Sequence, residues 1–197
     1  MKAVAVVRRR AYLSLISLTL FSIFYVLGSL VGSRTSPAIA GDVVVSNHPL
    51  DGPSELRLYV FVSERCLASR REELRAAIAS IRNRLLAIAG AEGLAVVTVG
   101  VSLDGDTREG LRALRRLGPF EEVSAGSGWA NEIAFRYILS AFPGPEVIPQ
   151  VVLVRRDPPQ SNNPGTSARE TLLWRAVGLA EIVRWGSTGL PVLTVKH

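Results

Sequence analysis

Short apolar runs alternate with longer amphipathic segments from residue 55 onward, and this alternation constrains the fold more than any other feature of the chain. Residues 56–62 and 94–103 are rich in Leu, Val and Ala, as buried strands are. Residues 70–89 instead place apolar side chains at steps of four and three, which is the spacing of one helical face. Strands that alternate with helices favour an α/β sandwich with a central mixed sheet flanked by helices.

The same alternation continues along the rest of the chain. We predict helices over 107–117, 130–142 and 179–185, strands over 151–154 and 171–177, and a short strand over 120–124. A loop over 157–168 that is rich in Pro, Asn, Ser and Gly joins the last two strands, and we expect it to be exposed. No glycine-rich loop follows any predicted strand, so the sequence argues against a doubly wound nucleotide-binding sheet.

The first 31 residues predict a membrane anchor. Residues 1–10 carry Lys2 and three arginines but no acid, and residues 11–31 form an uncharged, largely apolar run of 21 residues. A helix of that length spans about 30 Å, the thickness of the hydrocarbon core of a bilayer. A cleaved signal peptide has a shorter apolar core of about 7–15 residues. We therefore expect an uncleaved anchor, although Ala38-Ile39-Ala40 resembles a cleavage site.

Positive charge stays on the cytoplasmic side, so everything after Ser33 is expected outside the cytoplasmic (inner) membrane, which the chain crosses once. The predicted organisation is a cytoplasmic basic segment over 1–10, a transmembrane anchor over 11–31, a linker over 32–54 and one globular domain over 55–197. Gly28 and Gly32 lie near the end of the anchor at a spacing that permits close helix approach, and so a homodimer.

The formal charge of +6 comes mostly from the N-terminal segment. Without its four cations, 19 Lys and Arg remain against 17 Asp and Glu, which gives a nucleic-acid partner little electrostatic support. Cys66 is the only cysteine, so the domain has no internal disulfide and depends on its core. His48 lies in the predicted linker and His197 is the last residue, so we predict neither as a general base or a metal ligand.

Three acids lie close enough in sequence to suggest a cation site, namely Asp104, Asp106 and Glu109. Their spacing lacks the EF-hand pattern. Asp106 or Thr107 is better placed to cap the helix predicted over 107–117. We therefore expect neither a bound metal nor a cofactor.

Cys66 lies where the first predicted strand gives way to the first predicted helix. Residues 61–70 are Phe-Val-Ser-Glu-Arg-Cys-Leu-Ala-Ser-Arg, that is, the end of a strand, a short polar turn and a Cys-x-x-Ser motif. A Cys-x-x-Cys at such a junction is a dithiol redox centre. Here Ser69 replaces the second sulfur, and this restricts Cys66 to single-thiol chemistry because two-thiol exchange needs both sulfurs.

These residues resemble the active site of the thioredoxin superfamily, and two further segments resemble that family in the same order. Residues 148–153, Ile-Pro-Gln-Val-Val-Leu, resemble the segment that carries its cis-proline opposite the thiol, and residues 176–178 resemble its last strand and turn. Residues 99–104, Val-Gly-Val-Ser-Leu-Asp, and the additional helix before Pro149 resemble the membrane-anchored, extracytoplasmic redoxin type. The resemblance covers residues 55–186 and implies a thioredoxin-like sandwich.

The resemblance implies a role for each residue of the site. Cys66 would be the nucleophile, Pro149 would shape the peptide groove, and Ile148 and Trp129 would contact the substrate. Ser69 and the N–H groups at the helix N-terminus would stabilise the thiolate of Cys66.

Trp129, Phe135 and Tyr137 fall near the thiol side of the domain in the layout of the family. They would line a groove there, or they would pack in the core as aromatic residues of a helix commonly do. The sequence leaves both uses open.

Two functions stay open. The first is that of a thiol-disulfide oxidoreductase-like protein, which exchanges disulfides with partner proteins through Cys66 and needs an outside thiol to complete the reaction. The second is that of a redox-inactive thioredoxin-like binding or scaffold module in an envelope assembly. The second function is favoured by Val60, because many thioredoxins carry a buried acid at that position. It is also favoured by the Ser-x-x-Glu sequence of Ser69 and Glu72, because such a capping box stabilises the start of a helix without any chemistry.

Overall fold

The computed structural model describes residues 42–44, 54–158 and 168–189. The predicted anchor with Gly28 and Gly32 lies outside these residues, as do His48, His197 and most of the predicted linker. Within the described ranges, none of the helices combines the length and the hydropathy that a membrane span requires.

Strands and helices alternate in the described residues as the sequence predicts. The strands are β1 (Asp42–Val44), β2 (Glu55–Val62), β3 (Ala95–Ser102), β4 (Glu122–Ser124), β5 (Gln150–Asp157) and β6 (Arg169–Val177). The helices are α1 (Glu72–Glu92), α2 (Thr107–Leu117), α3 (Glu132–Ala134) and α4 (Gly178–Thr188). Short 3₁₀ turns cover Ala68–Arg70 and Gly128–Ala130, and π-helical turns over Phe135–Ser140 continue α3.

The strands form one mixed sheet in the order β1-β6-β5-β2-β3-β4. Neighbouring strands are parallel from β2 to β4 and antiparallel from β2 through β5 and β6 to β1. The prediction of an α/β sandwich around a mixed sheet is confirmed. Strand β1 lies within the range predicted as a linker, because Val43 and its two neighbours pair with the first residues of β6.

Alternate side chains of β2 enter two separate apolar clusters, as the period of a strand requires. Leu58, Val60 and Val62 belong to one cluster, together with buried residues of α1, α2 and α4. Tyr59 and Phe61 belong to the other, together with buried residues of α3 and its π-helical continuation. Val60 is fully buried, so the position where many thioredoxins carry an acid is part of the apolar core here.

One edge of the sheet gathers the loops that carry the predicted site residues. The parallel strands β2, β3 and β4 end there, and the antiparallel strand β5 begins there with Gln150 opposite Phe61. Strand β6 ends at the same edge, with Val177 opposite Gln150. We call it the Cys66 edge, because the loop that follows β2 carries Cys66.

Candidate functional site

Cys66 is a half-buried thiol that lies against the loop before β5. Its Sγ is 3.5 Å from the carbonyl oxygen of Ile148, to which it donates a hydrogen bond. The peptide bond between Ile148 and Pro149 is cis, as the resemblance implies. The Cys66 edge therefore brings Cys66 together with Ile148 and Pro149, which lie 82 positions or more further along the chain.

The structure differs from the sequence-based prediction in how the chain leaves Cys66. The residues after the thiol close one 3₁₀ turn, in which the N–H of Ser69 donates to the carbonyl of Cys66 at 3.0 Å. The backbone then opens at Arg71, which has φ −76° and ψ 139°, and α1 begins only at Glu72. The expectation that the thiol lies at the N-terminus of the long helix is wrong, because this extended residue separates the two.

Ser69 has neither of its two predicted roles, which were to stabilise the Cys66 thiolate and to form a capping box with Glu72. Its side chain is buried, and its Oγ accepts a hydrogen bond from the N–H of Ser63 at 3.4 Å. The residue before α1 is Arg71, and no side chain caps that helix, so the predicted capping box with Glu72 is wrong. No hydrogen bond joins Ser69 Oγ to Cys66 Sγ in the described part of the chain, and Ser69 instead ties the 3₁₀ turn to the end of β2.

Asp104 holds the loop that carries Cys66, a role that the sequence did not suggest. It is only 3% exposed, and its carboxylate accepts hydrogen bonds from the hydroxyl of Ser63 at 2.7 Å, from the N–H of Glu64 at 2.8 Å and from the hydroxyl of Ser102 at 2.8 Å. Burial alone would raise the pKa of Asp104, but these hydrogen bonds outweigh burial and hold the pKa below its ordinary value. Asp104 is therefore an ionised anchor between β2 and β3.

The two other acids of the suggested cation site have separate structural partners. Asp106 caps α2, because its Oδ1 accepts from the N–H of Glu109 at 2.9 Å, and this confirms the predicted cap. Glu109 forms an ion pair with Arg65 at 3.1 Å. Among the described residues, no group of acids, histidines and cysteines is arranged to hold a metal ion.

A buried amide holds the loop on the other side of the thiol. Gln150 is fully buried, and its Nε2 donates to the carbonyls of Pro145 at 3.0 Å and Val147 at 3.1 Å. The carbonyl of Pro149 accepts from the N–H of Gly178 at 2.8 Å, at the start of α4. These contacts fix the segment that presents the Ile148 carbonyl to Cys66. Sequence reasoning missed Gln150, although its position beside Pro149 is a signal that could have drawn attention to it.

The three predicted groove aromatics have different surroundings. Trp129 is 38% exposed and lies in the turn over Gly128–Ala130, where the N–H of Gly128 donates to the carbonyl of Asp104 at 3.3 Å. Phe135 is exposed as well. Tyr137 is buried, and its hydroxyl bonds to Tyr59 and Glu170, so it belongs to the core.

Two exposed apolar residues that the sequence analysis did not single out flank the thiol and its partner carbonyl. Leu67 follows Cys66 and is 77% exposed, and Val147 precedes Ile148 and is 48% exposed. Exposed apolar side chains at a loop edge are typical of surfaces that contact other molecules. Their signal in the sequence is only that each adjoins a predicted site residue.

Comparison with known proteins adds one structural likeness. No protein-family model matches the sequence, and no curated protein matches it. A search of solved structures returned a member of the Sco family of cytochrome c oxidase assembly proteins, with a TM-score of 0.36 and 18% sequence identity over 68% of this chain and 81% of that chain. The fold is thioredoxin-like. This assignment follows from the strand order and from the half-buried thiol that faces the loop before β5.

Proposed function

We propose that this protein exchanges disulfides with partner proteins through the single thiol of Cys66, and that residues 11–31 hold it on the outer side of the cytoplasmic membrane. One observation carries the proposal: the half-buried Cys66 Sγ lies 3.5 Å from the Ile148 carbonyl. Buried polar side chains fix both the loop that carries the thiol and the loop that carries this carbonyl. A thiol held in one orientation at a loop edge can attack a disulfide that docks against the same edge.

The first step of the exchange needs only Cys66 and the disulfide of the partner. The thiolate of Cys66 attacks one partner sulfur, a new S–S bond forms, and the other partner sulfur leaves as a thiolate. Ile148 and Trp129 are proposed to contact the partner chain, and Pro149 to shape the surface on which it lies. Ser69 cannot complete the reaction, because it has no sulfur and its hydroxyl oxygen is directed to Ser63. An outside thiol must therefore release the partner.

A binding module without redox chemistry is the second candidate function. It is favoured by three exposed apolar side chains along the Cys66 edge, those of Leu67, Trp129 and Val147. It is also consistent with Val60, which places an apolar side chain where many thioredoxins carry an acid. In this case the surface around Cys66 would bind a partner, but the sulfur would be dispensable.

Replacing Cys66 with alanine or serine in the full-length chain separates these two functions. In cells that lack the native protein and show a defect that the wild-type chain corrects, we expect both variants to fail while accumulating to wild-type levels. Leu86→Ala, on an exposed position of α1, is the control that should retain full function. Full correction by Cys66→Ala would contradict the exchange function and favour the binding module.

A further inference from the structure

A small cleft beside the loop of Cys66 has walls in which arginine predominates. Its volume is about 210 Å³, and it lies between the 3₁₀ turn after Cys66 and the end of α2. The residues that give it its charge and polarity are Ser69, Arg70, Arg71, Glu72, Arg75 and Arg116, and we call it the arginine cleft. A cleft with four guanidinium groups and one carboxylate favours an anionic ligand.

Part of this positive charge has no acid to balance it. Arg75 pairs with Glu72, and Arg116 donates to both carboxylate oxygens of Glu64. Arg71 is only loosely paired, with its Nε 3.9 Å from Glu73. Arg70 has no ion-pair partner within the described ranges, so the cleft keeps a surplus of positive charge.

The arginines on this side of the domain also affect Glu64, an acid that pairs with the cleft residue Arg116. The hydrogen bond from Arg116 lowers the pKa of Glu64, and the charges of Arg112 and Arg70 act in the same direction. Glu64 lies two positions before Cys66, so the positive field of the cleft acts at one residue of the loop that carries the thiol. It would attract an anion to this side of the Cys66 edge.

The size of the cleft limits what it can hold. Cofactor sites generally have volumes of about 300 Å³ or more, whereas this cleft suits one anionic group or a very small molecule. Guanidinium groups bind carboxylate and phosphate oxygens through paired hydrogen bonds. Carboxylates are the anions that small biological thiols commonly carry.

The cleft and the thiol belong to one turn of the chain. Ser69 lines the cleft, and its N–H donates to the carbonyl of Cys66 at 3.0 Å. Residues joined by such a turn have Cα atoms within about 7 Å of each other. The cleft therefore adjoins the turn that carries Cys66, and a molecule that binds there and acts on the sulfur needs its thiol a few bonds away from its carboxylate.

We propose that the arginine cleft binds the carboxylate groups of a low-molecular-weight thiol, which supplies the sulfur that Ser69 lacks. This inference rests on the proposed exchange function, in which an outside thiol must release the partner. The cleft would select that thiol by charge, so an anionic thiol reacts in preference to a neutral or a cationic one.

The release step balances without another oxidant or reductant. The thiolate of the small molecule attacks Cys66 Sγ in the mixed disulfide, a new S–S bond forms to Cys66, and the partner leaves as a thiolate. A second small thiolate then attacks the sulfur of the first, and Cys66 leaves as a thiolate. Two small thiols are thereby oxidised to one disulfide, while one partner disulfide is reduced to two thiols.

The test measures how quickly thiols of different charge release a neutral group from Cys66. The full-length chain is converted to its mixed disulfide with 2-thiopyridine, and release is followed with mercaptosuccinate (anionic), 2-mercaptoethanol (neutral) and cysteamine (cationic). Each rate is divided by the rate of the same thiol with a small-molecule 2-thiopyridine disulfide. We expect the normalised rate for mercaptosuccinate to exceed that for cysteamine about tenfold at low salt, and inorganic phosphate to reduce this preference.

The double variant Arg70→Gln/Arg71→Gln should lose most of the preference, while Arg84→Gln with Arg136→Gln, which removes two positive charges elsewhere, should keep it. Equal normalised rates for the three thiols in the wild-type chain would overturn the cleft proposal, as would a preference unchanged in the cleft variant. The proposed function fails in a different way, if Cys66 forms no mixed disulfide with a peptide disulfide. Circular dichroism spectra and thermal midpoints matching the wild type establish that each variant is folded.

Discussion

Replacing Asp104 with alanine is expected to lower the free energy of unfolding by about 3 kcal/mol and to slow the reaction of Cys66 with disulfides. The buried carboxylate accepts hydrogen bonds from Ser63, Glu64 and Ser102, and hydrogen bonds to a charged group contribute about 1.5–3 kcal/mol each without being additive. Alanine leaves these donors without their acceptor and frees the loop that carries the thiol. Urea denaturation gives the stability, and the rate of mixed-disulfide formation gives the second effect.

Asp106→Ala is the matched control, because it removes an exposed acid two positions away that only caps α2. We expect the lost cap to lower the free energy of unfolding by about 1 kcal/mol and to leave the reaction of Cys66 unchanged.

The contribution of Asp104 to stability also depends on pH. Because its pKa is lowered in the folded state, this contribution is present above the unfolded-state pKa of about 3.9 and is lost as the pH falls through the folded-state pKa. Wild-type stability in Asp104→Ala, or equal effects of the two variants, would contradict the anchoring role.

Gly186→Ala is expected to destabilise the domain by about 1–3 kcal/mol, because α1 and α4 meet at this residue without room for a methyl group. A Cβ on Gly186 would lie 2.9 Å from the Cα and 3.0 Å from the Cβ of Ala77. The contact is with backbone as well as side chain, so the two helices would have to move apart. Thermal and urea denaturation measure the loss.

Gly90→Ala is the control for this substitution, because Gly90 lies on α1 and a Cβ there meets nothing within 4 Å. Alanine is the better helix former by about 1 kcal/mol, so this variant should be as stable as the wild type or more stable. A Gly186→Ala variant that is as stable as Gly90→Ala would show that the helices do not meet as closely as described.

The sheet and its helices could be predicted from the sequence because their signals are local. The apolar steps of three and four in α1 and the apolar runs of β2 and β5 each follow from residues within one element. The placement of Cys66 opposite Ile148 could also be predicted from the sequence, because the order of the elements determines which loops share an edge of the sheet. It needed the resemblance as well as the pattern.

The start of α1 was predicted wrongly, because contacts with residues distant in sequence determine it rather than the local capping pattern. Ser69 and Glu72 have the spacing of a capping box, but the oxygen of Ser69 accepts from Ser63 at the end of β2, and the helix begins after Arg71. Asp104 was missed for the same reason, since it bonds Ser63 across 41 positions of sequence. Spacing within one segment does not reveal such partners.

The arginine cleft could not be predicted from the sequence either. Arg70, Arg71 and Arg75 are close in sequence, but Arg116 comes from the end of α2, and only the packing of α2 beside the 3₁₀ turn unites the four. The small net charge of the domain gave no indication of this local surplus, because acids elsewhere balance it.

The central claim is that Cys66 of the folded chain attacks the disulfide of a partner, and intact-mass analysis tests it most directly. The full-length wild-type chain is incubated with an oxidised peptide that contains one intramolecular disulfide, and the products are quenched with acid. The account predicts one peptide adduct on wild type, removed by a reducing agent, and none on Cys66→Ala. No adduct on the folded wild-type chain, together with an adduct once the chain is unfolded in guanidinium, would contradict it.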